Sequence, residues 1–385
     1  MKKTRVARSF YTKRSLPQPV IEHWPADARE LRALITAPLA KGELPRVIVG
    51  DGQHLRPGLI GERKFDVIRT EKCQRIVSLD RLSGIVRVES GVRWRDLQEV
   101  VAERGFSLHR YNLYPSTATI GGLLARRQAL PKHLFYGDLR DGCMALSAVS
   151  PATDRYRYIP APRKASGPDL RHLYIGGEGL LGAILDATLV VLKPMPGRLY
   201  SFAVEDVAHA TKLARQIFAQ GVRPSWSHFE GATSTLSMAV HAPASLLYSL
   251  DKHLRTYIGA DFTLAHQDEL AARRQVLEDN HPDRRLASSA SRTLAVAFDL
   301  TRLAAGIKAL GALPAGLEIH NWSAHAALAY LTYESDAQMQ AAIKTAVPGA
   351  LDARPLIDGG AVSWPQWAQS LKTQLDAGRL LATGP

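Results

Sequence analysis

Cysteine is almost missing from this chain of 385 residues: Cys73 and Cys143 are the only two. Two thiols fall short of the four that hold an iron–sulfur cluster, and they exclude a disulfide-stapled scaffold. They read as buried, reduced thiols. No Cys/His group has zinc spacing, so no metal is expected. Long apolar runs are missing as well; nothing approaches the roughly 20 residues that cross a bilayer. The first twenty residues carry six Lys or Arg and neither Asp nor Glu, yet they lack the apolar stretch of a secretory signal. They read as a flexible basic arm, residues 1–20, on a cytoplasmic protein, although transit peptides share the same bias. No G-x-G-x-x-G follows a strand, which removes a Rossmann dinucleotide site. Internal repeats and low-complexity tracts are absent too. The formal net charge of +13 permits contact with nucleic acid or anionic lipid, but no nucleic-acid motif accompanies it. A small anionic or hydroxylated substrate explains the charge equally well.

What is present is glycine in dense, placed groups. Tyr174-Ile-Gly-Gly-Glu-Gly-Leu-Leu-Gly182 puts four glycines in seven positions ahead of an apolar run ending at Leu192. Upstream lie Ala118-Thr-Ile-Gly-Gly122 and Val47-Ile-Val-Gly-Asp-Gly-Gln-His54. Without a Cβ, such segments let backbone approach a flat or phosphorylated group closely. Hydrophobic residues at 46% and charged residues at 22% are ordinary for a soluble globular protein, and the length suffices for two cores. Periodicity predicts a helix within 25–42, strands at 46–49, 75–79 and 84–89, and a helix on Trp94, Leu97, Val100 and Val101 that stops at Gly105. Strands at 143–150 and 155–160 follow, then a connector from Pro160 to Pro168. Beyond about residue 197, helices (207–220, 265–279, 301–310, 335–346) alternate with strands (236–241, 292–299, 326–333). This is an α+β pattern, not a repeating βαβ one.

The glycine sites, together with Pro25–Leu31, Arg75–Asp80, Val86–Gly91, Pro115–Gly122 and Tyr136–Asp141, resemble FAD-linked oxidases of the vanillyl-alcohol oxidase and p-cresol methylhydroxylase (PCMH-type) superfamily. Within it the chain looks most like the FAD-binding subunit of glycolate oxidase. The resemblance implies an α+β fold with a two-lobed FAD-binding domain over 21–195. A smaller substrate or cap domain over 196–345 and a C-terminal segment, 346–385, that packs back on the cofactor domain complete it. It implies FAD held noncovalently, since the histidine that some relatives use for attachment is Gln53 here, beside His54. The implied cofactor contacts are Val49, Gly50, Asp51, Gly52, Gln53, His54, Pro115, Thr119, Gly121, Gly122, Gly137, Asp138, Gly177, Gly179, Gly182 and Ile184. Asp51 stands where the family has a glycine. Two like charges about 4 Å apart cost on the order of 4 kcal/mol at an effective dielectric near 20, so Asp51 must turn outward, bond a ribose hydroxyl or face a cation such as Arg126 or Arg127.

Two functions follow from the resemblance. One is an FAD-dependent oxidoreductase that takes hydride from a small 2-hydroxy acid or related alcohol. The other is an FAD-binding accessory subunit of a multi-subunit complex. With no cluster cysteines, electrons must leave to oxygen, a diffusible acceptor, or a partner such as a second flavoprotein or an iron–sulfur subunit. Alcohol oxidation needs a base for the hydroxyl proton, which a histidine suits. The candidates are His320 and His228, in Glu318-Ile-His320-Asn-Trp322-Ser-Ala-His325 and Trp226-Ser-His228-Phe-Glu230. Two residues apart on an extended segment, His320 and Trp322 would share a face and pair a base with an aromatic wall.

Overall fold

The computed structural model describes residues 2–5, 20–52, 65–111, 113–126, 138–153, 156–157, 160, 168–259, 261–282, 293–309, 316–320, 322, 326–335, 337–339, 341–342, 352–355, 366–376, 378 and 381. In chain order the first lobe contains β1 (Lys2–Arg5), β2 (Val20–His23), α1 (Ala28–Thr36), β3 (Arg46–Val49), β4 (Asp66–Arg69), β5 (Ile76–Asp80), β6 (Ile85–Glu89) and α2 (Trp94–Glu103). It continues with α3 (Ile120–Ala125), β7 (Cys143–Val149), β8 (Tyr156–Arg157), α4 (Arg171–Tyr174) and β9 (Ala183–Val190). A four-stranded sheet runs β1-β2-β4-β3 and a five-stranded antiparallel sheet runs β5-β6-β9-β7-β8. The helix expected within 25–42 starts at Asp27, whose carboxylate accepts from the Arg29 and Glu30 amides, while Glu30 accepts from Ala26 N–H at 2.7 Å. That arrangement is close to a capping box. Leu31 and Ile35, one turn apart, are buried against Val149 and Leu185, and α2 turns Trp94, Leu97 and Val101 into the core beneath β6 and β9.

The basic arm is corrected at its start. Lys2–Arg5 pairs antiparallel with β2, satisfying backbone groups along an edge that β2 would otherwise leave open.

The second lobe contains β10 (Gly197–Ala203), α5 (Val207–Ala219), β11 (Trp226–Glu230), β12 (Thr235–His241), α6 (Ala244–His253), β13 (Thr263–Ala265) and α7 (Gln267–Asp279). After these come β14 (Thr293–Asp299), α8 (Leu303–Ala309), β15 (Gly316–His320), β16 (Ala326–Thr332) and β17 (Asp352–Pro355), with α9 (Gln366–Leu375) last. Its eight strands form one antiparallel sheet, β13-β10-β12-β11-β15-β16-β14-β17. Strand alternation gives this sheet two unlike faces. Phe229, Ile319 and Phe298 pack with Ile217 of α5 and Ile307 of α8. On the opposite face Trp226 packs with Leu270 and Leu277 of α7 and with Leu113 of the first lobe.

The sheet also runs past the boundary expected at residue 345, because β17 pairs with β14. In α9, Leu371 and Leu375 pack on the core of the first lobe. There Lys372 Nζ donates to Leu180 O at 2.9 Å and pairs with Asp376 at 2.7 Å.

α7 joins the lobes. Glu278 accepts from Trp94 Nε1 at 3.1 Å and from Arg274 Nε at 3.0 Å, Ser116 N–H donates to Glu278 O at 3.2 Å, and Arg274 Nη2 donates to Tyr111 O at 3.2 Å. Arg95 pairs with Asp279 beside them. Burial pushes the Glu278 carboxyl above its ordinary range, against the pull of Arg274 and Trp94.

Candidate functional site

The glycine loops, far apart in sequence, meet at α3. Thr119 N-caps this helix, its Oγ1 accepting from Gly122 N–H at 3.3 Å. A Cβ added to Gly50 would lie 2.1 Å from the same Oγ1, so the first loop must be bare there to pack on the second. Gly121 N–H donates to Ser90 O at 2.8 Å, and a Cβ on Gly121 would lie 2.6 Å from Ser90 Cβ. At the far end of α3, Gly176 and Glu178 N–H groups donate to Leu124 O and Ala125 O, each at 2.8 Å, which docks the third loop. Asp51 takes a partner not foreseen from sequence: the Thr117 hydroxyl donates to its Oδ2 at 3.2 Å. Arg126 caps α3 at the end away from Thr119; Arg127 lies outside the described residues.

The other expected cofactor residues divide. Val49 ends β3 and Pro115 lies buried in the second loop. Gly52 and Gly179 adopt φ of 88° and 75°, conformations suited to glycine. Gly177 and Gly182 are required by close packing, since their Cβ atoms would fall 2.5 Å from Leu173 O and 1.9 Å from Val149 O. Ile184 is buried within β9. Asp138 is engaged in its own turn, accepting from the Arg140 amide at 2.7 Å and from its guanidinium at 2.9 Å. Gln53, His54 and Gly137 lie outside the described residues.

The second lobe contributes a buried polar cluster. β11 and β15 pair with His228 directly opposite His320, and Glu318 lies opposite both Glu230 and Tyr330. These residues therefore occupy the face that also carries Trp226, the face turned toward α7 and the first lobe. Glu318 Oε2 is 3.2 Å from His320 Nε2 and 3.5 Å from His228 Nε2. The first distance is a hydrogen bond, and the second is a longer polar contact through which Glu318 still pulls on His228. His228 and His320 are 1% and 0% exposed, and their rings lie 4.7 Å apart, edge to face. Neither nitrogen of His228, nor Nδ1 of His320, has a hydrogen-bond partner among the described residues. Unsatisfied buried groups of this kind cost about 1–3 kcal/mol each, which marks the spot as unusual. Burial lowers the His228 pKa to about 4, against the opposing pull of Glu318, and leaves the ring neutral at pH 7.

The expected aromatic wall is corrected. β15 ends at His320, and Trp322 turns into the helix-side core, its Nε1 donating to Ile319 O at 3.1 Å and its ring 6.4 Å from Phe229. Tyr330 and His281 take the place intended for it. Their rings stand 5.2 Å from that of His320. Only the strand register places Tyr330 there, and His281 arrives from the end of α7; neither carries a local motif. His325 lies outside the described residues. His228, Glu318 and His320 offer ligand atoms all within 4.8 Å of one another. No sequence spacing joins residues 228 and 318.

Known proteins are similar to this chain in its first lobe and in its fold. Residues 19–156 match the family described as FAD binding domain. The chain is 30% identical over 161 residues to the uncharacterized FAD-linked oxidoreductase YgcU of Escherichia coli, which covers 41% of this chain and 33% of that protein. It is 29% identical over 187 residues to the mitochondrial cytochrome D-lactate dehydrogenase of Arabidopsis thaliana, covering 48% and 32%. The matched segments thus span about a third of the length of these curated relatives. A solved structure of alkyldihydroxyacetonephosphate synthase superposes with a TM-score of 0.73 at 18% identity, over 95% of this chain and 76% of that one. The fold is therefore the α+β architecture of PCMH-type flavoproteins. Residues 19–156 carry its FAD binding domain, and FAD is the cofactor.

The residues present fit that cofactor. Beside the bare loops, the Ser90 and Ser116 hydroxyls are buried with no hydrogen-bond partner among the described residues. Both lie on segments that touch α3 or its N-terminal loop, where a polar, phosphorylated group would satisfy them.

Proposed function

We propose that this chain is an FAD-dependent oxidoreductase that oxidises a small 2-hydroxy acid or a related alcohol. The observation that supports this best is the His228–Glu318–His320 cluster, buried on the sheet face turned toward the FAD lobe. Bound FAD supplies the hydride acceptor. It then falls to the protein to hold the substrate, keep water out and take the hydroxyl proton. His320 is suited to receive that proton, because with Nε2–H donating to Glu318 the imidazole is fixed in the tautomer whose Nδ1 lone pair is free to accept. His228 adds a second neutral imidazole, and Tyr330 closes the cluster laterally. The D-lactate and D-2-hydroxyglutarate dehydrogenases among the relatives favour a hydroxy acid as the substrate class, with electrons passed onward to an external acceptor.

Anaerobic mixing of the purified protein with a panel of 2-hydroxy acids tests the reading. Bleaching of the flavin bands by at least one of them is expected. No bleaching by any, with a second flavoprotein or an iron–sulfur protein copurifying, would instead favour the accessory-subunit alternative.

A further inference from the structure

We propose that the stacked imidazoles of His109 and His241 form an acid-released latch between the two lobes. The inference rests on the lobe boundary and is independent of the redox reading. The two rings lie 4.9 Å apart and 24° from parallel. His109 belongs to the first lobe, on a segment that Ser107 ties to Leu192 by backbone hydrogen bonds of 2.8 and 3.1 Å. His241 is the last residue of β12 in the second lobe. Each ring is set by a serine of its own lobe: Ser107 Oγ lies 3.0 Å from His109 Nδ1, and Ser225 Oγ lies 2.8 Å from His241 Nδ1. Gly197 walls the His241 ring so closely that a Cβ there would fall 2.9 Å from it. The stack is thus built from both sides of the boundary.

The surroundings favour a neutral pair. His109 is 3% exposed, and among the described residues the charges that bear on it, Arg274 and Arg110, are both cationic. Burial first, then these guanidiniums, hold its pKa down to about 4. A proton on either imidazole meets that positive field, and a second proton would set like charges in contact. On α7, Arg274 Nη2 donates to Tyr111 O, two residues beyond His109, and its charge is countered by Glu278 at 3.0 Å. Burial raises the Glu278 carboxyl, so acid weakens that counter-charge as well. Parting the two segments returns the imidazoles to water and to an ordinary pKa near 6.5. The parted state therefore binds protons that the latched state excludes. The latch is closed at neutral pH and released as the pH falls from about 6.5 toward 4.

The test is amide hydrogen exchange on the full chain with its FAD at about pH 7 and pH 5, spanning the titration of an ordinary imidazole, with rates corrected for the intrinsic pH dependence of exchange. The reporters flank the pair: the Ser107, Tyr111, Ser225 and Ala242 amides donate to the Leu192, Leu108, Ala239 and Pro196 carbonyls. Their protection is expected to fall reversibly by about tenfold or more between the two pH values, while amides of β9 and β16 keep theirs. In His109→Gln the fall should drop below about twofold, and His241→Gln should shrink it as well. The pattern is read first in the unmutated protein, so the test survives a variant that fails to fold. Protection unchanged by acid at the reporter amides, an equal loss in β9 and β16, or an undiminished fall in a folded His109→Gln variant would each overturn the proposal.

Discussion

On the proposed function, the two lobes reach their chemistry by opposite routes. In the first, the functional segments are local: each glycine loop is a short run of sequence, and folding brings three such runs onto one six-residue helix, α3. In the second, no run carries the site. His228 and His320 come from different strands and become neighbours only through the register of β11 and β15. A cofactor with a large phosphate-bearing surface can be held by backbone, which local glycine patterns advertise. A substrate's few reacting atoms need side chains converging from distant positions.

That contrast can be broken from either side. The largest effect is expected at Gly182, where φ is 152° and a Cβ would strike Val149 O. Gly182→Ala should destabilise the first lobe by on the order of 3 kcal/mol or more, read as a lowered Tm together with lost flavin absorbance. Trp226→Ala, which empties the packing between sheet, α7 and Leu113, should cost about 3–5 kcal/mol. It should loosen the lobes from each other, seen as new protease sensitivity in the chain around α7. Thr119→Val removes the cap of α3 and should cost about 1 kcal/mol while weakening FAD retention far more than thermal stability, as measured by flavin content after gel filtration.

Acid provides a subtler comparison. Burial, more than nearby Arg274 and Arg110, lowers the His109 pKa to about 4, and burial does the same for His228. Between about pH 6.5 and 4 the unfolded chain therefore binds protons that the native chain does not, and stability falls as pH drops through that window. Melting curves from pH 7 to 4.5 should show the fall, and His109→Gln should flatten it. The smallest effect is chemical silence: burial pushes both thiols up to about 12. Cys73 and Cys143 should ignore a thiol reagent in the native protein and react as two thiols after denaturation.

What sequence conveyed follows the same division. The α+β class was legible, as were the strands β3, β6 and β7 and the helix on Trp94, because alternation and helical spacing were carried by adjacent residues. The first-lobe glycines were legible for the same reason. Asp51 was not: its partner Thr117 sits 66 positions away, on a loop whose position depends on Gly50 meeting Thr119. Trp322 misled because strand parity was extended two residues past the end of β15. Tyr330, His281 and the joining role of Glu278 left no local trace, since each acts only across paired strands or between lobes.

On the proposed function, FAD retention belongs to the first lobe and proton handling to the buried face of the second. The direct measurement is flavin content and anaerobic bleaching rate in the His320→Gln variant, compared with the unmutated protein on the same hydroxy acid. Full flavin content with bleaching slowed by roughly 10²–10⁴-fold, the usual range for loss of a general base, is the predicted result. Bleaching at an unchanged rate, or loss of FAD from a variant that is otherwise folded, would contradict this division of roles.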